Sequence, residues 1–447
     1  MASAAGDNIM SGINISKEIT CQIVDNLMGP RPDSRYNWPV EALADISSTV
    51  RQDLAHARLI NKAFCDCVTP LLFRDIKAYF PYPSPELKPS VWAKDILKLS
   101  SSRVAGHVKR LEIGFLSWPR TTDPPEFFLE EVLLEALYAI PALVSACRGL
   151  RILKIEGSPR DRDDAPVLSQ LHRRMFNQCI DQVFRILSQG NDYTGPKAIL
   201  MSLPLAHDYG QRYSRSLEFH SGTYTNPLTQ VLESIHRLEV TISDVTGSGG
   251  QRYWPRSESA GHARHPNIRH QSELWEFIGL AKQLRVLTIQ CSHVLNFDNF
   301  PVDGLQHLRE LGLIRVSMSE TQWSKLLDRT RSSLKAMELT LVDLTSGTWE
   351  SCLLQLCTMS HLDHFFIDSC GYTANGASSQ HALGLLPAPD EQTNIETMHF
   401  TDENALGHVQ RHVNAVRQAA GMDLYDETYY RYLSSRSLEE EGRLRIS

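Results

Sequence analysis

The chain has 447 residues, 42% apolar and 22% charged, and its 45 Lys and Arg against 52 Asp and Glu leave a formal charge of −7. This is globular composition, which excludes a disordered or fibrous chain, and the acid excess excludes a chain-wide basic footprint for nucleic acid. Nine cysteines are too few for a disulfide scaffold and odd in number, so a reducing compartment is expected.

At about 150 residues per domain, the length implies two or three units or one elongated repeat array. Residues 1–17 carry neither a basic n-region nor an apolar h-region, so no secretory leader is expected. The longest mostly apolar stretch, residues 136–147, contains Pro141 and falls short of the roughly 20 residues of a membrane span. A soluble protein of the cytoplasm or nucleus is expected.

Residues 1–12 read as a flexible tail. A helix is expected from Ser16, which can cap its exposed amides, with Glu18 in the first turn and Ile19, Ile23, Val24 and Leu27 as its apolar stripe. Gly29, Pro30 and Pro32 end it, and a polar loop follows. A second helical stretch carries Leu54, Ala57, Leu59, Ile60, Phe64 and Val68. Thr69-Pro70 then reads as the cap and first residue of a short third segment with Leu71, Leu72, Phe73 and Ile76. Together these form a small helical domain over 13–78. Pro81, Pro83, Pro85 and Pro89 mark a semi-rigid connector, and a helix with Trp92, Ile96 and Leu99 completes the region 79–103.

From 104 to 402 a pattern φ-x-x-φ-x-φ recurs, with φ apolar. Copies start at Val108, Leu150, Ile235, Leu284, Leu308, Leu334, Leu362 and Ile395, with a degenerate one at Ser214, Leu217 and Phe219. The later apolar pairs run from Leu111 and Ile113 in the first copy to Met398 and Phe400 in the last. A basic residue follows the first apolar position at Lys109, Arg151, His236, Arg285, Arg309 and Lys335, whereas Lys, Arg and His are about one residue in seven overall. Intervals of 24, 26 and 28 residues after Leu284 resemble leucine-rich repeats, whose period is roughly 20–29. Earlier intervals of 42 and 85 imply insertions.

In a strand the two φ of φ-x-φ share one face and x takes the other. One such unit cannot bury its apolar face alone, but stacked neighbours can. The expected fold class is therefore α/β: a small N-terminal three-helix unit, then an irregular leucine-rich-repeat-like α/β solenoid with a parallel sheet. The stripe Leu168, Leu171, Met175, Cys179, Val183 and Leu187 suits a returning helix. Residues 403–447 are expected to close the array with a helix carrying Leu406, Val409, Val413 and Val416, and with a tail containing Tyr425, Tyr429, Tyr430 and Tyr432. The 244–270 insert, rich in Gly, Ser and Arg, reads as a loop.

Motifs that carry chemistry are sparse. The spacing Gly190-x-x-x-x-Gly195 is followed by Pro196, Lys197 and Ala198, so a phosphate loop would lack a backbone donor and the metal-binding hydroxyl. His361 and His364 fall in a strand-like unit that would splay their rings. Cys65 and Cys67 have no second thiol pair and read as buried small residues. His262, His265 and His270 with Arg252, Arg256, Arg264 and Arg269 read as a solvated loop, with contact to phosphate or an acidic partner as the alternative. No catalytic constellation, metal or cofactor is expected.

Residues 15–27 (Ile15-Ser16-Lys17-Glu18-Ile19, Ile23-Val24, Leu27), then 54–64 and 69–76, resemble an F-box of fungal type. Ile15 and Ser16 stand where the family pattern has Leu-Pro, Asn61 replaces a common cysteine, and about twenty extra residues separate the helices. The resemblance implies a non-catalytic adaptor that docks on the linker subunit of an SCF-type, cullin-based ubiquitin ligase and holds a protein substrate on its C-terminal domain. By that resemblance Ile15, Ser16, Ile19, Ile23, Leu59 and Ile60 lie near the ligase contact, although several, Ile23 and Phe64 first, also suit the unit's own core. In the repeats, the x residues Glu112, Lys154, Glu239, Thr288, Gly312, Glu338, Phe366 and His399 are the expected substrate face. They have no common sign of charge, which argues against a polyanion groove. The alternatives are a repeat-based interaction scaffold outside ubiquitination, or an enzyme with a site in the long inserts.

Overall fold

In the computed structural model of the protein, the described residues are 19–20, 22–24, 48–80, 89–115, 126–156, 170–189, 195–203, 227–242, 268–373, 394–395, 397 and 399–425. Nine strands pair in parallel in the order in which the chain makes them. They are β1 (Asp75–Phe80), β2 (Arg110–Phe115), β3 (Ile152–Glu156), β4 (Ala198–Leu203), β5 (Arg237–Ile242), β6 (Val286–Asn296), β7 (Glu310–Ser319), β8 (Ala336–Thr340) and β10 (His364–Asp368). Two short strands, β9 (Asp343–Ser346) and β11 (Gly371–Tyr372), continue the sheet beside the end of β7.

The register aligns the apolar pattern across all nine strands. Ile76, Leu111, Leu153, Ile199, Leu238, Leu287, Leu311, Met337 and Phe365 form one row. Ala78, Ile113, Ile155, Met201, Val240, Ile289, Leu313, Leu339 and Ile367 form the next. These rows share one continuous core with Leu133, Ile140, Val183, Phe277, Trp323 and Trp349 of the returning helices. Fully burying each Leu, Ile or Val contributes about 1.5–3 kcal/mol, so the two rows carry much of the fold's stability. Parallel crossovers are right-handed in nearly every sheet. Strands paired in chain order therefore send each returning segment to the same side. The helices accordingly stack on their neighbours: Pro89–Ser101 on Glu126–Ala146, that helix on Gln170–Gln189, and Trp349–Leu356 on Phe400–Ala419.

Seven of the eight expected repeat copies lie on strands. The eighth does not: Ile395 makes only an isolated bridge with Cys370, and Phe400, 73% exposed, opens the helix Phe400–Ala419. Asp402 in that helix's first turn accepts from Thr397 Oγ1 at 2.6 Å and Tyr372 Oη at 2.7 Å, so this segment is a helix start and not a strand. Four strands were not anticipated: the short β9 and β11, and two of the nine in-order strands. β1 follows Phe73-Arg74, and β4 follows Pro196-Lys197, with buried Pro196 in the first apolar place. The degenerate copy at Ser214 lies outside the described residues.

The N-terminal helical region also differs in detail. The expected second helix is two helices, Ser48–Ala57 and Lys62–Leu72. Asn61 caps the latter, its Oδ1 accepting from Phe64 N at 3.0 Å. Pro70 lies inside the last turn of Lys62–Leu72 and opens no new helix, while Ile76 belongs to β1. Val24, Leu54, Ala57, Phe64 and Val68 form a small separate core.

The far edge of the sheet is closed. Helix Phe400–Ala419 packs beside β10 and buries Leu406, Val409 and Val413. Arg417 donates to Asp363 O at 3.1 Å and lies 3.7 Å from the centroid of the Tyr425 ring. Tyr425 Oη meets His364 Nδ1 at 3.0 Å. The described residues include no helix long and apolar enough to cross a membrane.

Three non-glycine residues adopt positive φ: Arg315 (61°), Leu341 (55°) and Ser369 (49°). They follow Ile314, Thr340 and Asp368, which are themselves in register, so β7, β8 and β10 all bend at one level before β9 and β11 continue. Gly347, at φ 83°, precedes the Trp349–Leu356 helix, and a Cβ there would lie 2.4 Å from Glu320 Cβ. Gly421 is also left-handed, at φ 69°, but a Cβ there would meet nothing within 4 Å. Gly421→Ala should therefore lower stability by about 1 kcal/mol from backbone strain alone. Gly347→Ala should cost clearly more, on the order of 3 kcal/mol, as read from urea unfolding midpoints.

Candidate binding surfaces

The short helical stretch around 19–24 buries Thr20 and Val24 and turns Ile19 and Ile23 outward, 51% and 37% exposed. Those pairs are each four residues apart, the spacing of one helix face. Leu59 and Ile60 occupy the turn before Asn61 and are 82% and 64% exposed. Phe64 enters the small core as the sequence suggested, whereas Ile23 remains outside it. Ile15 and Ser16 lie outside the described residues. Four large aliphatic side chains thus face outward on a unit whose own core is small. Fully burying such a side chain is worth about 1.5–3 kcal/mol, and the exposed share of that is unrealised here.

The face of the sheet that no described helix covers is the second surface. Lys77, Glu112, Lys154, Leu200, Glu239, Thr288, Gly312, Glu338 and Phe366 form one row in register. All of the x positions named from sequence are in it except His399, which flanks the start of the last helix. Lys77 and Leu200 join the row through the unanticipated β1 and β4; Phe73-Arg74 and Pro196-Lys197 were the signal that could have found them. Glu112 and Phe366 are buried, Lys77 and Glu338 exposed, and Lys154, Leu200, Glu239 and Thr288 half-buried.

At the β1–β3 end the row is a charge network. Glu112 accepts from Tyr79 Oη at 2.6 Å and from Lys154 Nζ, with Lys77 Nζ at 3.8 Å. Lys154 also contacts Glu156 at 2.5 Å. Burial pushes the Glu112 carboxyl up, but the hydrogen bonds from Lys154 and Tyr79 outweigh it and hold the group below the usual range. Burial likewise opposes charge on Lys154, yet Glu112 and Glu156 raise its pKa. At the other end, Arg237 donates to Glu239 at 2.5 Å, and His364 Nε2 lies 3.3 Å from Glu338. Between them Glu310 has a buried carboxylate oxygen, Oε2, without a hydrogen-bond partner. Burial, opposed by Arg237 and reinforced by Glu338 and Asp363, pushes its pKa up to about 8.

The remaining sequence candidates are scattered. His361 is exposed in the turn before β10, and His364 is buried within that strand. Cys65 and Cys67 are half-buried, Cys67 against the small helical core. His262 and His265 lie outside the described residues, while Arg269 and His270 belong to the helix Ile268–Gly279. No cluster of three His, Cys, Asp or Glu among the described residues could hold a metal ion. In comparisons with known proteins the chain matches no family model, and no curated protein gives a match.

The two acids, Glu112 buried and Glu310 half-buried, should act on stability with opposite signs. Glu112, with a depressed pKa, stabilises the fold above the unfolded carboxyl range, and that contribution disappears as pH falls through its folded pKa. Glu112→Ala should therefore cost on the order of 3 kcal/mol at pH 7, and much less near pH 3. Glu310, with a raised pKa, binds a proton in the folded state that the unfolded chain releases, so stability falls as pH rises between about 4 and 8. Glu310→Gln should stabilise the protein by about 1–2 kcal/mol at pH 9 and by little at pH 4. Urea midpoints across pH check both.

Proposed function

We propose that this protein is a non-catalytic substrate-recognition adaptor of an SCF-type cullin-RING ubiquitin ligase, working in the cytoplasm or nucleus. In this reading the N-terminal helices are an F-box that docks on the linker subunit. The in-order parallel sheet is an irregular leucine-rich-repeat solenoid whose face without described helices holds a protein substrate. The observation that carries the reading is the outward placement of Ile19, Ile23, Leu59 and Ile60 on the helical unit. An apolar patch of this kind becomes favourable when a partner helix covers it. The resemblance of residues 15–27, 54–64 and 69–76 to an F-box names that partner. The mixed-sign row from Lys77 to Phe366 offers a broad polar surface rather than an enclosed reaction centre. No cofactor, nucleic acid or membrane enters the proposal.

Leu59 and Ile60 are already exposed, so the double variant Leu59→Asp, Ile60→Asp should fold normally. It should lose at least tenfold in affinity for the linker subunit in a co-purification titration, and Ile19→Asp should act the same way. Undiminished linker binding, or wild-type protein that captures substrates without any cullin, would favour a scaffold outside ubiquitination.

A further inference from the structure

The strand order brings a line of basic residues, seven Lys or Arg and one His, together at the entry edge of the sheet. Arg74, Lys109, Arg151, Lys197, His236, Arg285, Arg309 and Lys335 each stand directly ahead of one of the eight strands β1 to β8. Their peptide groups form an unbroken ladder, from Lys109 N donating to Arg74 O at 2.8 Å to Lys335 N donating to Arg309 O at 2.7 Å. Only at the ninth rung does an acid, Asp363, take the place. With neighbouring strands about 4.8 Å apart, the eight residues extend some 34 Å in single file.

Backbone pairing does not require charge at these positions, and like charges on adjacent strands repel. Among the described residues Lys109, Lys197, Arg285, Arg309 and Lys335 form no salt bridge. The repulsion registers at His236, whose pKa is lowered by burial and by Arg285 and Lys197 on either side. At the β6–β10 end the rim opens into a cleft of about 420 Å³. Arg285, Arg309, Lys335, His307, His361 and Ser333 are among the residues that line it, with no carboxylate among them.

We propose that this rim is a docking ledge for an acidic protein segment, a run of Asp and Glu side chains laid across the strands with its densest charge in the cleft. A linear row of cations fits an extended polyanion. The cleft has no Phe, Tyr or Trp, and single-stranded nucleic acid relies on such rings for stacking, so carboxylates are favoured over bases. The ledge is distinct from the outward aliphatic side chains of the helical unit and from the mixed-sign row, and the proposal stands without any ligase subunit.

The test is fluorescence anisotropy of a labelled ten-residue polyglutamate peptide with the full chain. Binding should weaken as salt rises, and Arg285→Ser, Arg309→Ser, Lys335→Ser together should lower affinity at least tenfold. The exposed pair Arg309→Ser, Lys335→Ser should lose several-fold with unchanged circular dichroism, which guards against misfolding of the triple variant. Lys94→Ser with Lys98→Ser, at two exposed lysines on the helix Pro89–Ser101, should change nothing. Absent binding, or equal loss in that control, overturns the ledge. Tighter binding of a ten-thymidine oligonucleotide with the same dependence on the rim overturns the acidic segment as its occupant.

Discussion

Parallel strands that pair strictly in chain order leave the chain little freedom. Each connection must climb over the same face, because a right-handed crossover to the next strand in one direction has only one side to use. One face of the sheet is then roofed by helices, and the other is left for solvent or partners. This constraint explains why two rows of the sheet are apolar across nine strands while the row between them mixes Lys, Glu, Thr and Phe. Parallel sheets are commonly covered on both faces; here the alternating burial of β5, with Leu238, Val240 and Ile242 inside, records the uncovered side.

The same arrangement separates three surfaces by their physics. The helical unit presents aliphatic side chains, the open face presents paired charges, and the entry rim presents a line of basic residues, five of which form no salt bridge among the described residues. On the open face the charges are held by their own partners: Glu112 is satisfied by Tyr79 and Lys154 before any ligand arrives. Such a network sets local shape and orientation more than it adds net stability, since desolvation offsets most of the attraction. At its far end Tyr425 packs on His364 and under Arg417.

Much of this was legible in the sequence because period-two apolarity survives wherever a strand faces a core. The copies from Val108 to Leu362 each mark a strand, and in the sheet their apolar pairs stand in register. β4 was hidden because proline fills the place that elsewhere holds an aliphatic residue, and Pro196-Lys197 resembled a fragment of a phosphate loop. β1 was hidden because Leu71, Leu72 and Phe73 continue a helical stripe up to its first residue. The converse error, at Met398 and Phe400, arose because an apolar pair two residues apart carries no information on the acids beside it, and Asp402 decides for a helix. In the helical unit, Leu59 and Ile60 fit a continuous stripe by spacing. Asn61 breaks that helix and leaves them outside, a cap being a side-chain hydrogen bond that hydropathy does not register.

Arg315, Leu341 and Ser369 share one level of the sheet, and each takes a backbone geometry that L-residues avoid. Because the residues just before them, Ile314, Thr340 and Asp368, are paired across the three strands, none can straighten alone without disturbing its neighbours. The curvature at this end therefore belongs to the sheet collectively. A lineage that gained or lost a repeat beside β8 would have to bring a left-handed residue with it, or flatten the whole corner.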